Sequence, residues 1–182
     1  DSALSVLSPM LFDVDHPRLY SLYSTLKTES GLTTSISTRF GIRTVAVDVE
    51  NGFLLNGVPL LLKGGCVHHD NGLLGARSFP ASERRKVQKL KENGFNAIRC
   101  AHNPPSSAFL DACDELGMLV IDEAFDCWRE GKKLNDEHLF FESEWRNELS
   151  AMIRRDRNHP SVIMWSTGNE IVERSGISHG AI

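Results

Sequence analysis

The chain has 182 residues, 41% of them hydrophobic and 24% charged, the balance of an ordinary globular protein with room for one or two packed cores. Twenty Lys and Arg against 24 Asp and Glu leave a net charge of -4, a mildly acidic surface with no field to gather nucleic acid or anionic lipid. No stretch approaches the ~18 apolar residues that a bilayer crossing requires, and the opening Asp1-Ser2-Ala3-Leu4 has neither the basic nor the apolar region of a secretion signal.

Residues 1 to about 50 show no sustained helical period and read as short extended segments, Leu19 to Leu26, Leu32 to Ser37 and Ile42 to Val49. This is β-sandwich material with too few strands to close two sheets, so it reads as the tail of a larger domain. Asn56-Gly57 then stands between Phe53-Leu54-Leu55 and the apolar run Val58 to Leu62, a strong hairpin signal. The second arm is expected to continue through Lys63-Gly64-Gly65-Cys66 as the first strand of a new pattern.

From there strand and helix alternate. Ser82 is expected to cap a helix over Glu83 to Asn93 that Gly94 ends, and Asn96 to Cys100 follows as a second strand. Ser106 or Ser107 can cap the next helix, whose Phe109, Ala112, Cys113 and Leu116 recur at helical spacing before Gly117 stops it. Met118 to Asp122 is a continuous apolar run into a carboxylate, a third, buried strand. A polar loop from Arg129 to Glu137 leads to a longer helix with Phe141, Trp145, Leu149 and Met152 on one stripe. Asn158-His159-Pro160 breaks it before a fourth strand, Val162 to Ser166. Four parallel strands with intervening helices give an α/β sheet, and barrel and open sheet both fit this pattern.

The four cysteines, Cys66, Cys100, Cys113 and Cys127, include no Cys-x-x-Cys pair and are expected to be free and mostly buried. The polar residues are more informative. His68, His69 and Asp70 follow the first strand; Arg99, His102 and Asn103 close the second; Asp122, Glu123 and Asp126 close or follow the third; Asn169 and Glu170 follow the fourth. In parallel α/β folds the carboxyl ends of the strands share one face, where ligands bind. The four groups therefore converge on a cleft suited to a carbohydrate or another small polar ligand. Trp165, inside an apolar run, is expected in the core, whereas Trp128 in its polar loop is a candidate stacking platform.

Three ordered motifs carry a family resemblance: Asn96 through Arg99, His102 and Asn103 to Pro105; Val120-Ile121-Asp122-Glu123-Ala124; and Asp156-Arg157-Asn158-His159-Pro160 through Trp165 to Gly168-Asn169-Glu170. Together with Phe40-Gly41-Ile42-Arg43 and Leu55-Asn56-Gly57, they make nearly the whole chain resemble glycoside hydrolase family 2. The resemblance implies the last strands of an immunoglobulin-like sandwich over residues 1–50 and the first half of a (β/α)8 TIM barrel over 51–182. It also implies a retaining β-glycosidase in which Glu170 is the general acid and then the general base. Asn169 would bond the sugar hydroxyl beside the reacting carbon, and His102 and His68 would contact the glycone or stabilise the transition state. Arg99 would serve the nucleophile's carboxylate, a Glu on a later strand beyond residue 182. With that partner outside the chain, Arg99 is expected to lean on Asp122 or solvent.

By the same resemblance Asp122, Glu123 and Asp126 are structural or substrate-contact positions, and Asp126, Asn103 and Trp128 join the expected substrate-binding set. Some β-galactosidases of the family bind magnesium through a Glu and a His soon after the third strand. The matching stretch, Phe125-Asp126-Cys127-Trp128, offers only Asp126, so neither a catalytic metal nor another cofactor is expected. Cys66 stands where many members have Asn, and Asn103 where many have Tyr. The implied activity is foremost that of a β-galactosidase, with β-glucuronidase and β-mannosidase next. The alternative of a different kind is a non-catalytic carbohydrate-binding or assembly fragment. The expected partner is a carbohydrate, not nucleic acid or membrane. Four strands leave a barrel open at both edges, so the isolated chain is expected to be inactive and to self-associate.

Overall fold

The computed structural model describes residues 5–175. Strands β1 (Tyr20–Lys27) and β2 (Thr33–Phe40) form an antiparallel hairpin, with Tyr20 opposite Phe40 and Lys27 opposite Thr33. Strands β3 (Val45–Asp48), β4 (Gly52–Leu55) and β5 (Val58–Pro59) make a second antiparallel sheet in that order. Asn56 and Gly57 turn β4 back on β5 with φ of 54° and 77°, the left-handed pair that a tight hairpin turn demands.

The second arm of that hairpin is shorter than expected. It stops after two residues, and β6 (Gly64–His68) starts afresh beyond Leu60 to Lys63. Close packing explains the restart at a glycine, because a Cβ on Gly64 would lie 2.0 Å from the Ala97 carbonyl oxygen of the adjoining strand. The β3–β4 pairing, from Val45 with Leu55 to Asp48 with Gly52, runs across residue 50.

Strands β6, β7 (Ala97–Ala101), β8 (Leu119–Glu123) and β9 (Val162–Ser166) form a parallel sheet in chain order. Helices α1 (Pro80–Glu92), α2 (Ser107–Leu116) and α3 (His138–Asp156) occupy the crossovers. The arrangement is α/β, the first half of a TIM barrel. Helix α1 begins three residues before the expected start. Pro80, whose fixed φ suits a first helical position, takes that role, and Ser82 in the first turn donates to Phe79 O at 2.9 Å and accepts from Phe79 N–H at 3.2 Å. Helix α2 is capped by Ser106, whose Oγ accepts from Phe109 N–H at 3.2 Å, and closed by Gly117 at φ 68°.

Side chains alternate across the sheet, so each strand serves two layers. Val87 of α1 and Phe109 and Leu110 of α2 pack with Ile98, Val120 and Val162 on the outer face. On the inner face, the foot is plugged by Phe12, Val14 and Leu55 against Ala97 and Leu119. Higher on that face the strands turn polar. β9 is an edge, and Trp165 on it is 39% exposed, a correction to the core position expected for it. Trp165 pairs with Asp122 and so points to the outer face, where no α-helix among the described residues follows β9 to cover it. Cys100, Cys113 and Cys127 are buried and Cys66 is exposed, all four free. Among the described residues no helix is long and apolar enough to cross a membrane.

Alternation also sends Asp122 outward, beneath the helices, where it and Asp156 are both wholly buried. Burial, and then the Asp156 carboxylate beside it, raise Asp122 to about 8. Because the folded chain keeps a proton that the unfolded chain loses near 4, the stability from this site is full in acid and is lost as pH rises through the folded value. Asp122→Asn is therefore expected to flatten the decline in stability between about pH 4 and 8. At pH 9 the variant should be the more stable by roughly 1 kcal/mol or more, or some 2–4 °C in Tm for a chain of this size. Melting curves across pH check this, and a variant that melts below the parent at pH 9 would exclude it.

Candidate active site

The polar half of the inner face is organised around Glu123, the last residue of β8. Its carboxylate is wholly buried and accepts from every side. Arg99 of β7 donates through Nε at 2.9 Å and through Nη2 at 2.9 and 2.6 Å. Ser166 Oγ, at the end of β9, donates at 2.7 Å, and His102 Nδ1 lies 2.8 Å from Oε1. Burial alone would raise this carboxyl, but Ser166, His102 and Arg99 outweigh it and hold the pKa below the ordinary glutamate value. Glu123 is thus an anion, with its lone pairs committed to neighbours.

The network runs on to the strand-end loops. Arg99 Nη2 also donates to Asn169 Oδ1 at 2.9 Å, and Asn169 Nδ2 donates to Asp126 Oδ1 at 3.0 Å. The Asn169 amide is therefore fixed in orientation, yet it keeps one N–H and one lone pair for a ligand. Its backbone N–H is tied to Phe125 O at 2.9 Å. The next residue, Glu170, adopts φ 50° and carries its carboxylate out to 78% exposure. A left-handed backbone at a non-glycine residue is strained, and such strain concentrates at functional sites. Lys132 Nζ lies 2.7 Å from Asp126 Oδ1 and 3.4 Å from Glu170 Oε2. His68, at the end of β6, meets the His102 ring edge-on at 5.1 Å, and the exposed Cys66 thiol sits 3.5 Å from Arg99 Nη1.

Of the residues expected at the site, Glu170, Asn169, Arg99, His102, His68 and Asp126 share this mouth. Asn103 does not join the network; it is exposed, and its amide donates to Pro104 O at 3.1 Å. Trp128 is half-buried, its Nε1–H donating to Thr167 O at 2.8 Å and its ring stacked on Phe141 with centroids 5.9 Å apart. Those contacts bind its loop to α3. Arg99 corrects its own expectation, since it rests on Glu123 and Asn169 rather than on Asp122 or solvent. Asp122 lies one residue from Glu123 and so points to the opposite face of β8. Glu123 as hub, Ser166 and Lys132 were all missed. The two-residue period of β8, inward at Leu119, Ile121 and Glu123, is the signal that could have found the first.

Among the described residues, Asp111, Asp114 and His159 are the group whose ligand atoms lie close enough to hold a cation, within 4.8 Å of one another. Their atoms are already engaged, because Asp114 Oδ2 lies 2.6 Å from His159 Nδ1, Asp114 Oδ1 accepts from Ser161 N–H at 3.1 Å, and Asp111 pairs with Arg39 at 2.7 Å. This cluster braces the β1–β2 hairpin against α2. At the mouth of the inner face, the donors and acceptors converge on a volume open to solvent, with one exposed carboxyl able to give and take a proton. Such a site fits a polyhydroxylated ligand and acid–base chemistry on it.

Residues 45–181 match glycosyl hydrolases family 2, TIM barrel domain. The β-galactosidase BoGH2A of Bacteroides ovatus is 45% identical over 171 residues, which are 94% of this chain and 20% of that protein. A crystal structure of a glycosyl hydrolase family 2 member from Bacteroides cellulosilyticus superposes with a TM-score of 0.89 at 53% identity, over 93% of this chain and 22% of that one. The β-glucuronidase of Parabacteroides merdae superposes at 0.79 with 35% identity, over 91% and 20%. The chain thus spans about a fifth of the length of the relatives it matches.

Proposed function

The chain belongs to glycoside hydrolase family 2, and from that premise we propose that it supplies the acid–base half of a retaining β-glycosidase. The observation that carries this reading is the placement of Glu170, whose exposed carboxyl stands at the mouth beside an Asn169 amide fixed from both sides. The protonated Glu170 carboxyl donates to the departing glycosidic oxygen while a nucleophile attacks the anomeric carbon. The resulting carboxylate then takes a proton from water, which displaces the enzyme from the sugar. Asn169 turns its free amide valences to the hydroxyl next to the reacting carbon. His102 and His68 offer ring nitrogens to the glycone, with Asp126 and Trp128 behind the site and Asn103 at its rim.

The nucleophile belongs to a later strand of the barrel. Arg99 reaches into the inner face where that carboxylate would lie, with Nη1 not committed to Glu123. Residues 1 to about 50 are the end of a preceding immunoglobulin-like sandwich, and the rest is the first half of the catalytic barrel. A β-galactoside is the substrate the relatives favour first, and a β-glucuronide second.

Two measurements test this reading. The complete-barrel protein, given aryl β-galactoside, β-glucuronide and β-mannoside, should turn over the first fastest and release a product whose first-formed anomer is β. An α first product would mean inversion and sink the mechanism. The isolated 182-residue chain should show neither turnover of these substrates nor a monomer in light scattering, because the edges of β6 and β9 are open.

A further inference from the structure

We propose that Lys132 is a built-in cation that sets the proton affinity of Glu170, and that the loop carrying it is folded for this purpose. The inference rests on the reading of Glu170 as acid and base. Lys132 lies in a loop without regular structure, yet carboxylates hold that loop at both ends. Asp136 Oδ2 accepts from the backbone N–H groups of Lys132 and Lys133, both at 2.7 Å, and Asp136 Oδ1 accepts from His138 N–H at 3.1 Å and contacts His138 Nδ1. At the other end, Glu173 Oε1 accepts from Arg129 N–H at 2.8 Å and Glu130 N–H at 3.1 Å. Since Glu173 follows Glu170 by three residues, the loop is moored to the segment that carries the acid.

The ammonium is then aimed by Asp126, 2.7 Å away, and stands 3.4 Å from Glu170 Oε2. Among the described residues it is the recorded polar partner of that carboxylate. Burial works against the Lys132 charge, but Asp126 and Glu170 prevail and raise its pKa, so it is a cation throughout the range of enzyme activity. The other charged groups at this corner are Asp126 itself, with His102 and Glu137 within electrostatic reach of it, and Arg99 on the Asn169 oxygen. Asp126 thus does two things: it orients Asn169 for the sugar and Lys132 for the acid. An opposite charge at this distance favours the anionic carboxylate. It thereby helps the second half-reaction, in which Glu170 must be a base, and limits the alkaline range of the first. Lys132 is a positioning residue acting through Glu170.

The test is the pH profile of kcat/KM in the complete-barrel protein for an alkyl β-glycoside, whose poor leaving group departs only with a proton. Lys132→Met and Lys132→Gln should each move the alkaline limb upward by about one pH unit, and Lys132→Arg should leave it in place. A purely structural role would lower kcat/KM at every pH without moving the limb, and that result overturns the proposal. So would an equal shift in the Arg variant. Glu170→Gln serves as the control: if its profile keeps the parent's alkaline limb, the assignment of Glu170 fails; if that limb vanishes while the Met and Gln variants at 132 keep theirs, the role of Lys132 fails alone.

Discussion

Glu170→Gln in the complete-barrel protein is expected to lower kcat/KM on glycosides with poor leaving groups by about 10^2–10^4-fold, the usual worth of a positioned acid or base. The loss should shrink on activated aryl glycosides, whose leaving group departs without a proton. For these, the second step becomes limiting because no carboxylate activates water, so kcat should fall together with KM as the glycosyl-enzyme accumulates. Stability should not change. The Glu170 side chain is 78% exposed, and substitutions at such surface positions usually stay within about 0.5 kcal/mol. Steady-state kinetics across leaving groups, beside a urea melt, check both halves. A raised KM with an unchanged kcat, equal across leaving groups, would instead assign Glu170 to binding.

Glu123→Gln should do the converse and damage the fold itself. All the groups facing this carboxylate are donors: Arg99 Nε and Nη2, Ser166 Oγ and, with its Nδ1 protonated, His102. A Gln in this fully buried place offers one oxygen and turns an NH2 against donors, leaving the half-buried guanidinium without its counter-charge. Removing one partner of a buried pair costs about 3–5 kcal/mol. Arg99, at 32% exposure, recovers some solvation, so the lower end, roughly 3 kcal/mol, is expected. Urea denaturation of the isolated chain measures it. A loss under about 1 kcal/mol would show that the inner-face network is held by packing alone and that the ion pair is incidental.

A good part of this molecule was legible from local signals. The Asn56-Gly57 turn, the Ser106 cap, the Gly117 stop and the fourth strand from Val162 to Ser166 all stand where turn and capping chemistry put them. The convergence of His68, Arg99, His102, Asn169 and Glu170 followed from parallel topology alone, since every strand delivers its carboxyl end to one face. What escaped was direction and partnership. Met118 to Asp122 read as one apolar run because a strand covered on both faces shows little polar alternation. Asp122 and Glu123, adjacent carboxylates, therefore could not be told apart by composition, although one lies in the outer layer and the other at the hub of the site.

Lys132 escaped for a different reason. Nothing periodic marks its loop, and its position comes from Asp136 and Glu173, which have no local turn signature linking them to it. The restart of β6 at Gly64, likewise, answers to the Ala97 backbone 33 residues away.

By itself, the amino-acid order determined the succession of strands and helices and, through it, the one face on which the strand-end residues converge. These follow from periodicity, caps and turns, where the deciding contacts lie within a few residues. Only the tertiary structure decided that Arg99 rests on Glu123 across 24 residues and that Lys132 reaches Glu170 across 38. Charge pairing depends on which side chains are brought side by side once neighbouring strands are in register, and no nearby residue encodes that register.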